Sequence, residues 1–327
     1  MNHVLDGSSR ADVAYAANML RKGGVGAIPT ETVYGLAADA TREEAVARVF
    51  QVKNRPHFDP LILHLADLEA VSRWALDIPP PLEKLARAFW PGPLTLLLPK
   101  APAIPEMTTA GLPRAAFRVP AHPVAQALLR QIDFPLAAPS ANPFGYVSPT
   151  TAQHVAAQLG GLVGMILDGG PCEVGLESTI VGLEAGEQLT IHRLGGLSQE
   201  AIEEVAGPAQ LALNRSSDPA APGQLKKHYA PGKPLQLGNI EAMLTETNAR
   251  RIALIRFQEP LALSDARILR QEVLTPKADM KEAACRLFAL LRELDADPEI
   301  EEVLAEPVPE VGLGRAINDR LRRAAAF

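Results

Sequence analysis

Regular patterning stops between residues 207 and 233 and then resumes, and this interruption constrains the fold more than any other feature. Before it, strand-like and helix-like segments are mixed without strict alternation; after it, strand and helix alternate. A chain of 327 residues is too long for one ordinary core, so two bodies are expected. The expected division is 1–207, a linker at 208–232 rich in Pro, Ser, Ala and Asn, and 233–327. In the last part, strands at 251–257 and 301–305, a long amphipathic helix near 277–294 and a final helix from about Leu313 imply a small parallel sheet with right-handed crossovers.

The first part reads as an α/β sheet with one strongly curved or open face. A helix over 11–22 stops at Gly23-Gly24, and a buried strand over 25–29 leads into Thr30-Glu31-Thr32-Val33-Tyr34-Gly35. Thr41 and Glu44 fit a capping box for a helix whose apolar face is Ala45, Val46, Val49 and Phe50. That helix delivers the chain to Lys53-Asn54-Arg55-Pro56. In a strand over 61–65, Leu61, Leu63 and Leu65 share one face and His64 lies with Ile62 on the other. Over 115–119 the same alternation buries Ala115, Phe117 and Val119 and sets Arg118 opposite. Further strands are expected at 94–98, 136–138 and 165–168, and near 179–181 and 189–193. Ser148-Pro149 has the cap and first-position residues of another helix.

Bulk properties narrow the function. A hydrophobic fraction of 47% and a mean hydropathy of +0.03 describe a globular chain with ample apolar surface to bury. No apolar run approaches the roughly 20 residues that span a bilayer, and the polar start lacks a secretory h-region. Two cysteines, Cys172 and Cys285, give neither a disulfide framework nor a zinc pattern, which fits a reducing cytoplasm. A net charge of −6 argues against broad nucleic-acid binding but leaves room for a local cationic cavity.

Two polar runs carry the chemistry. Lys53 and Arg55 sit one residue apart past a helix, and Pro139-Ser140-Ala141-Asn142 sets a hydroxyl and an amide one residue apart in a turn. Alternate residues of an extended segment share a face, so each run can aim two side chains into one hollow. Cations with short neutral donors suit a polyanion such as a triphosphate. The plainer readings are a solvated helix end, where cations complement the dipole, and an ordinary turn. Gly145, Ser148 and Thr150 extend the second run into a loop of small donors, although it is neither a Walker A loop nor a dinucleotide fingerprint. Arg118 in an apolar strand needs an anionic partner, either a ligand or a structural Asp or Glu. Glu177-Ser178-Thr179 fits a strand entry as well as a site, and Gly312-Leu313-Gly314-Arg315 fits a packing turn better than an anion site. With no Ser-His-Asp order and no HExxH, positioning and charge neutralisation are the expected sources of catalysis.

These residues carry a resemblance. Pro29-Thr30-Glu31-Thr32-Val33-Tyr34-Gly35-Leu36, Lys53-Asn54-Arg55-Pro56 and Pro139-Ser140-Ala141-Asn142 resemble the YrdC-type L-threonylcarbamoyladenylate synthases. Trp90-Pro91-Gly92-Pro93-Leu94-Thr95, Arg118-Val119-Pro120 and Glu177-Ser178-Thr179-Ile180 extend the likeness over residues 1–207. His228-Tyr229-Ala230-Pro231 and Gly312-Leu313-Gly314-Arg315-Ala316-Ile317 resemble the longer, two-domain members. The resemblance implies an α/β, YrdC-like twisted sheet domain with a large cationic cavity and a small Rossmann-like C-terminal domain. It implies threonylcarbamoyl-AMP and pyrophosphate made from L-threonine, bicarbonate or CO2, and ATP with Mg2+. The product would pass to a separate threonylcarbamoyl transferase complex acting on tRNA position 37, with at most weak tRNA contact here.

By motif correspondence, Thr32, His64, Arg118 and Ser178 resemble a threonine pocket. Lys53, Arg55, Ser140 and Asn142 resemble the catalytic nucleotide-phosphate set, with Ser148 nearby. Arg193, His228 and Tyr229 would close over the nucleotide, the linker acting as a lid. Two positions depart from the family pattern: Asp59 stands where Asn is common, either to assist Mg2+ or to face solvent, and Arg114 where Thr is common, a cation that could reach a phosphate; both are placed with the nucleotide. No protein metal site is expected, Mg2+ being held through ATP phosphates. The rivals are a carbamoyltransferase of larger assemblies, for which no further domain is seen, and an RNA-binding module, which the acidic charge and 5% aromatic content disfavour.

Overall fold

The computed structural model describes residues 4–56, 59–213, 222 and 229–326. The first body contributes strands β1 (Val4–Asp6), β2 (Gly26–Ile28), β3 (Gly35–Asp39), β4 (Ile62–His64), β5 (Leu94–Pro99) and β6 (Arg114–Arg118). It continues with β7 (Leu136–Ala137), β8 (Met165–Asp168), β9 (Thr179–Glu184), β10 (Gln188–Arg193) and β11 (Gln210–Leu211). Among the described residues these form one mixed eleven-stranded sheet in the order β1-β8-β2-β3-β7-β4-β6-β5-β9-β10-β11.

The alternation expected for the central strands is realised. Leu61, Leu63, Leu65, Ala115, Phe117 and Val119 all join the main apolar core. Ile62 and Ala116 join Leu97 and Ile180 in a small separate cluster on the opposite face. That face also carries His64 and Arg118, which lie directly across from each other where β4 runs parallel to β6. Thr95 of β5 is the antiparallel partner of Arg118 on its other side. Register alone therefore lines up His64, Arg118 and Thr95 in one row.

Two local expectations are corrected. The helix Glu43–Lys53 starts after Arg42 without a side-chain cap, because the Thr41 hydroxyl donates instead to Asp39 at 2.6 Å. Ser148-Pro149 does not open a helix; the helix Ala152–Leu159 starts three residues later, capped by the Thr151 hydroxyl accepting from the His154 amide. Asn54 ends the helix Glu43–Lys53 in the left-handed region, φ 52°, which Asn tolerates better than most side chains.

The second body is a wholly parallel sheet of β12 (Leu235–Leu237), β13 (Ile252–Arg256), β14 (Ile268–Val273) and β15 (Glu302–Ala305), in the order β12-β15-β13-β14. Its helices Met280–Ala296 and Gly314–Ala324 reach the first body. Gly175 permits one of these contacts: its φ is +73°, and a Cβ there would lie 2.5 Å from the Cys285 Cα. The two cysteines, distant in sequence, meet at this seam, with the Cys285 thiol donating to the Cys172 carbonyl at 3.3 Å. Gly312-Leu313-Gly314 is a packing turn, since a Cβ on Gly314 would overlap the Pro309 carbonyl.

Candidate active site

The open face of the central strands is the floor of a cavity with about 540 Å³ of empty space, its mouth included. Thr32, His64, Arg118 and Ser178, the whole set matched to threonine, line it. From the nucleotide set, Arg55, Ser140, Arg193 and Tyr229 line the same hollow. His228 lies outside the described residues.

Arg118 is held from three directions. Its NH1 donates to the Thr32 hydroxyl at 2.7 Å, its Nε to the Gly92 carbonyl at 3.4 Å, and its NH2 pairs with Glu31 Oε1 at 2.8 Å. The structural carboxylate that a buried cation requires is thus Glu31, inside the same Thr-Glu-Thr run. Thr30 fixes that run, its hydroxyl 2.8 Å from the Thr32 hydroxyl and donating to the Val33 carbonyl at 2.6 Å. Burial first, and then the adjacent Arg118 charge, push the His64 imidazole down to about 3. His64 is therefore neutral near pH 7, able to offer a hydrogen bond without competing as a cation.

Next to Arg118 in register, Thr95 ties down Ser178, their hydroxyls 2.7 Å apart. Arg193 grips the Ser178 carbonyl through Nε at 3.1 Å and NH2 at 3.0 Å, and its NH1 reaches the Pro222 carbonyl at 3.4 Å. Burial lowers the Arg193 guanidinium to about 10, which leaves it charged at neutral pH. Gly195 allows this crowding, because a Cβ there would sit 2.3 Å from the Glu177 carbonyl. Tyr229 is buried in a left-handed conformation, φ 65°, and stacks on Phe288 with centroids 5.5 Å apart.

The two polar runs split. Arg55 lines the cavity, with Nε donating to the Asp59 carbonyl at 3.2 Å and NH2 to the Pro60 carbonyl at 2.9 Å. Lys53 does not line it. Its Nζ donates to the carbonyls of Ser140 and Asn142, at 2.5 and 2.6 Å, and so anchors the second run from behind. Burial, and then the Arg55 charge, push the Lys53 ammonium well below the usual lysine range. The shared-face premise fails because Lys53 is the last helical residue and Asn54 turns the chain before Arg55. Neither cation is a solvated helix end; both are buried.

Four further placements differ from the sequence reading. Asp59 neither faces solvent nor lines the cavity; it is fully buried and pairs with Arg55 NH2 at 2.8 Å. Asn142 is buried behind the cavity wall, donating to the carbonyls of Pro143 and Tyr146 at 2.9 and 2.8 Å. Ser148 is also buried, donating to Glu177 Oε1 at 2.6 Å. Arg114 is on the strand face of Arg118 but about 13 Å away along the strand, occupied by the Leu183 carbonyl at 2.6 Å and Glu184 at 2.9 Å. Thr30, Glu31 and Thr95 were missed as individual site residues, although all three stand inside the motifs.

Fold and site together define an α/β protein whose cavity gathers three arginines and several neutral donors around one hollow suited to anionic ligands. A family model described as "Telomere recombination" (Sua5, YciO, YrdC) matches residues 18–195, and one described as "Threonylcarbamoyl-AMP synthase, C-terminal domain" matches 197–326. The chain belongs to the Sua5–YciO–YrdC family, in its two-domain form. Threonylcarbamoyl-AMP synthase of Pyrococcus abyssi is 40% identical over 324 residues, 96% of this chain and 94% of that protein. The Bacillus subtilis protein of the same name is 38% identical, over 96% and 92%. The crystal structure of P. abyssi Sua5 complexed with L-threonine is similar at a TM-score of 0.87 and 38% identity, covering 97% of this chain and 95% of that one.

Proposed function

We propose that this protein is a threonylcarbamoyl-AMP synthase, joining L-threonine, CO2 from bicarbonate, and ATP. The observation that carries this reading is the shared cavity: Arg118, suited to a substrate carboxylate, and Arg55, suited to a phosphate, line one hollow. In this reading Thr32, His64, Arg118 and Ser178 hold threonine, while Arg55, Ser140, Arg193 and Tyr229 hold the nucleotide. Lys53 and Asn142 serve by fixing the loop that carries Ser140.

The threonine amine forms an N–C bond with CO2 and releases a proton, leaving a carbamate. A carbamate oxygen then bonds to the α-phosphorus of ATP as the bond to the bridging oxygen breaks, and pyrophosphate departs. The attacking group is already anionic, so the barrier is chiefly the approach of like charges, which fixed guanidinium groups lower. Asp59 is committed to Arg55, so Mg2+ enters with ATP and is held by its phosphates. Tyr229 and Pro222, whose carbonyl accepts from Arg193, line the hollow and shield the mixed anhydride from water, while most of the lid expected over 208–232 (214–221 and 223–228) lies outside the described residues.

The product then passes in the cytoplasm to a transferase complex that modifies tRNA position 37, with at most weak tRNA contact here. No helix among the described residues is long and apolar enough to cross a membrane. Incubation with MgATP, bicarbonate and labelled threonine, followed by mass analysis, tests the reading. A threonine-bearing carbamoyl adenylate supports it, and its absence refutes it.

A further inference from the structure

Two arginines of the second body reach Ser148, the site-loop residue that the cavity itself does not explain, Arg292 directly and Arg320 through Glu177. Arg292, on the helix Met280–Ala296, donates from Nε to the Ser148 carbonyl at 3.1 Å and from NH2 to the Val147 carbonyl. Its guanidinium lies over the Tyr146 ring, 5.1 Å from the centroid, and the Tyr146 hydroxyl donates to Asp295 on the same helix. Arg320, on the helix Gly314–Ala324, is fully buried. Its Nε pairs with Glu177 Oε2 at 2.9 Å and its NH2 donates to the Leu194 carbonyl at 2.8 Å. The other oxygen of Glu177 accepts from the Ser148 hydroxyl, and Arg320 also lies 4.9 Å from the Tyr229 ring centroid.

Burying guanidinium groups costs several kcal/mol each before pairing, and apolar residues of similar volume often join surfaces equally well. Cohesion alone does not account for two such groups at one seam. Both end on cavity-forming loops: Arg292 on the loop that begins with Ser140, Arg320 on Glu177, which lines the cavity beside Ser178. We infer that Arg292 and Arg320 are positioning residues through which the second body sets the site, Arg292 acting on the nucleotide side and Arg320 on the threonine side.

This inference rests on the proposed synthase reading, and its test separates the two. The full chain and its Arg292→Met and Arg320→Met variants are compared for the KM of ATP and of threonine, with thermal midpoints recorded. Arg320→Met is expected to raise the threonine KM at least tenfold with a smaller change for ATP, and Arg292→Met the reverse. Arg320→Lys, which keeps a cation within reach of Glu177, is expected to recover part of the threonine effect. Where a Met variant does not fold, the matching Lys variant carries the same readout, its KM rising for the same substrate. Folded variants with both KM values within twofold of the parent, or with equal rises for both substrates, overturn the inference while parental synthesis stands. A parent that makes no threonylcarbamoyl adenylate removes the synthase reading itself. In that case, Kd values for threonine and ATP across the same variants decide the positioning roles by the same split.

Discussion

His64 and Arg118 lie opposite each other in register on adjacent parallel strands, with the imidazole and the guanidinium on one face of the sheet. Burial and that neighbouring charge hold His64 near 3, against about 6.5 in an unfolded chain. Between those values the unfolded state binds a proton that the folded state refuses. Stability is therefore intact above pH 6.5 and declines as pH falls toward 3. One such proton contributes a slope of up to about 1.4 kcal/mol per pH unit. His64→Gln is expected to flatten the decline by up to that amount, measured by urea unfolding at pH 7, 6 and 5. His154, held near 4 chiefly by burial, adds to the slope and is unaffected by that substitution.

Arg118→Ala is expected to act twice. It removes the proposed carboxylate grip, raising the threonine KM about a hundredfold, equivalent to roughly 3 kcal/mol. It also leaves Glu31 buried without its cation, a loss of about 3–5 kcal/mol in stability. Adding Glu31→Gln to Arg118→Ala restores stability but not threonine affinity, as read by thermal midpoint and steady-state kinetics. Recovery of both together would contradict a direct contact with substrate.

Lys53 and Arg55 are expected to separate experimentally. Lys53→Ala strips the carbonyls of Ser140 and Asn142 of their shared donor, costing about 2–4 kcal/mol in stability along with ATP affinity. Arg55→Lys keeps a charge but loses the planar fork that spans the Asp59 and Pro60 carbonyls. Its expected signature is a raised ATP KM, at least tenfold, with a smaller loss of stability than Lys53→Ala.

Gly175→Ala places a methyl group against the Cys285 backbone at a positive φ. Overpacking of this kind costs about 1–3 kcal/mol. The expected effect is a weakened seam between the two bodies, seen as faster proteolytic cleavage between them. Cleavage at the parental rate would contradict a tight seam at Cys285.

Much of the site was legible because period-two alternation is a strong local signal. Leucine at 61, 63 and 65 places His64 on the open face, and Ala115, Phe117 and Val119 do the same for Arg118. Alternation gives the face but not the position along a strand, so Arg114 shares a face with Arg118 and still lies beyond the cavity. The pairing of Lys53 with Arg55 was misread for a related reason: a left-handed Asn54 ends the helix between them, and no period spans that turn. The bond that Arg320 donates to Glu177 joins residues 143 positions apart, and no local pattern reports such a contact.

The central claim, an amino acid and a nucleotide reacting within one hollow, is tested most directly by pyrophosphate release from MgATP with threonine and bicarbonate supplied together or omitted singly. The expected result is release only when both are present, and its loss in both Arg118→Ala and Arg55→Lys at limiting substrate. Release at an undiminished rate without threonine, or without bicarbonate, would contradict it.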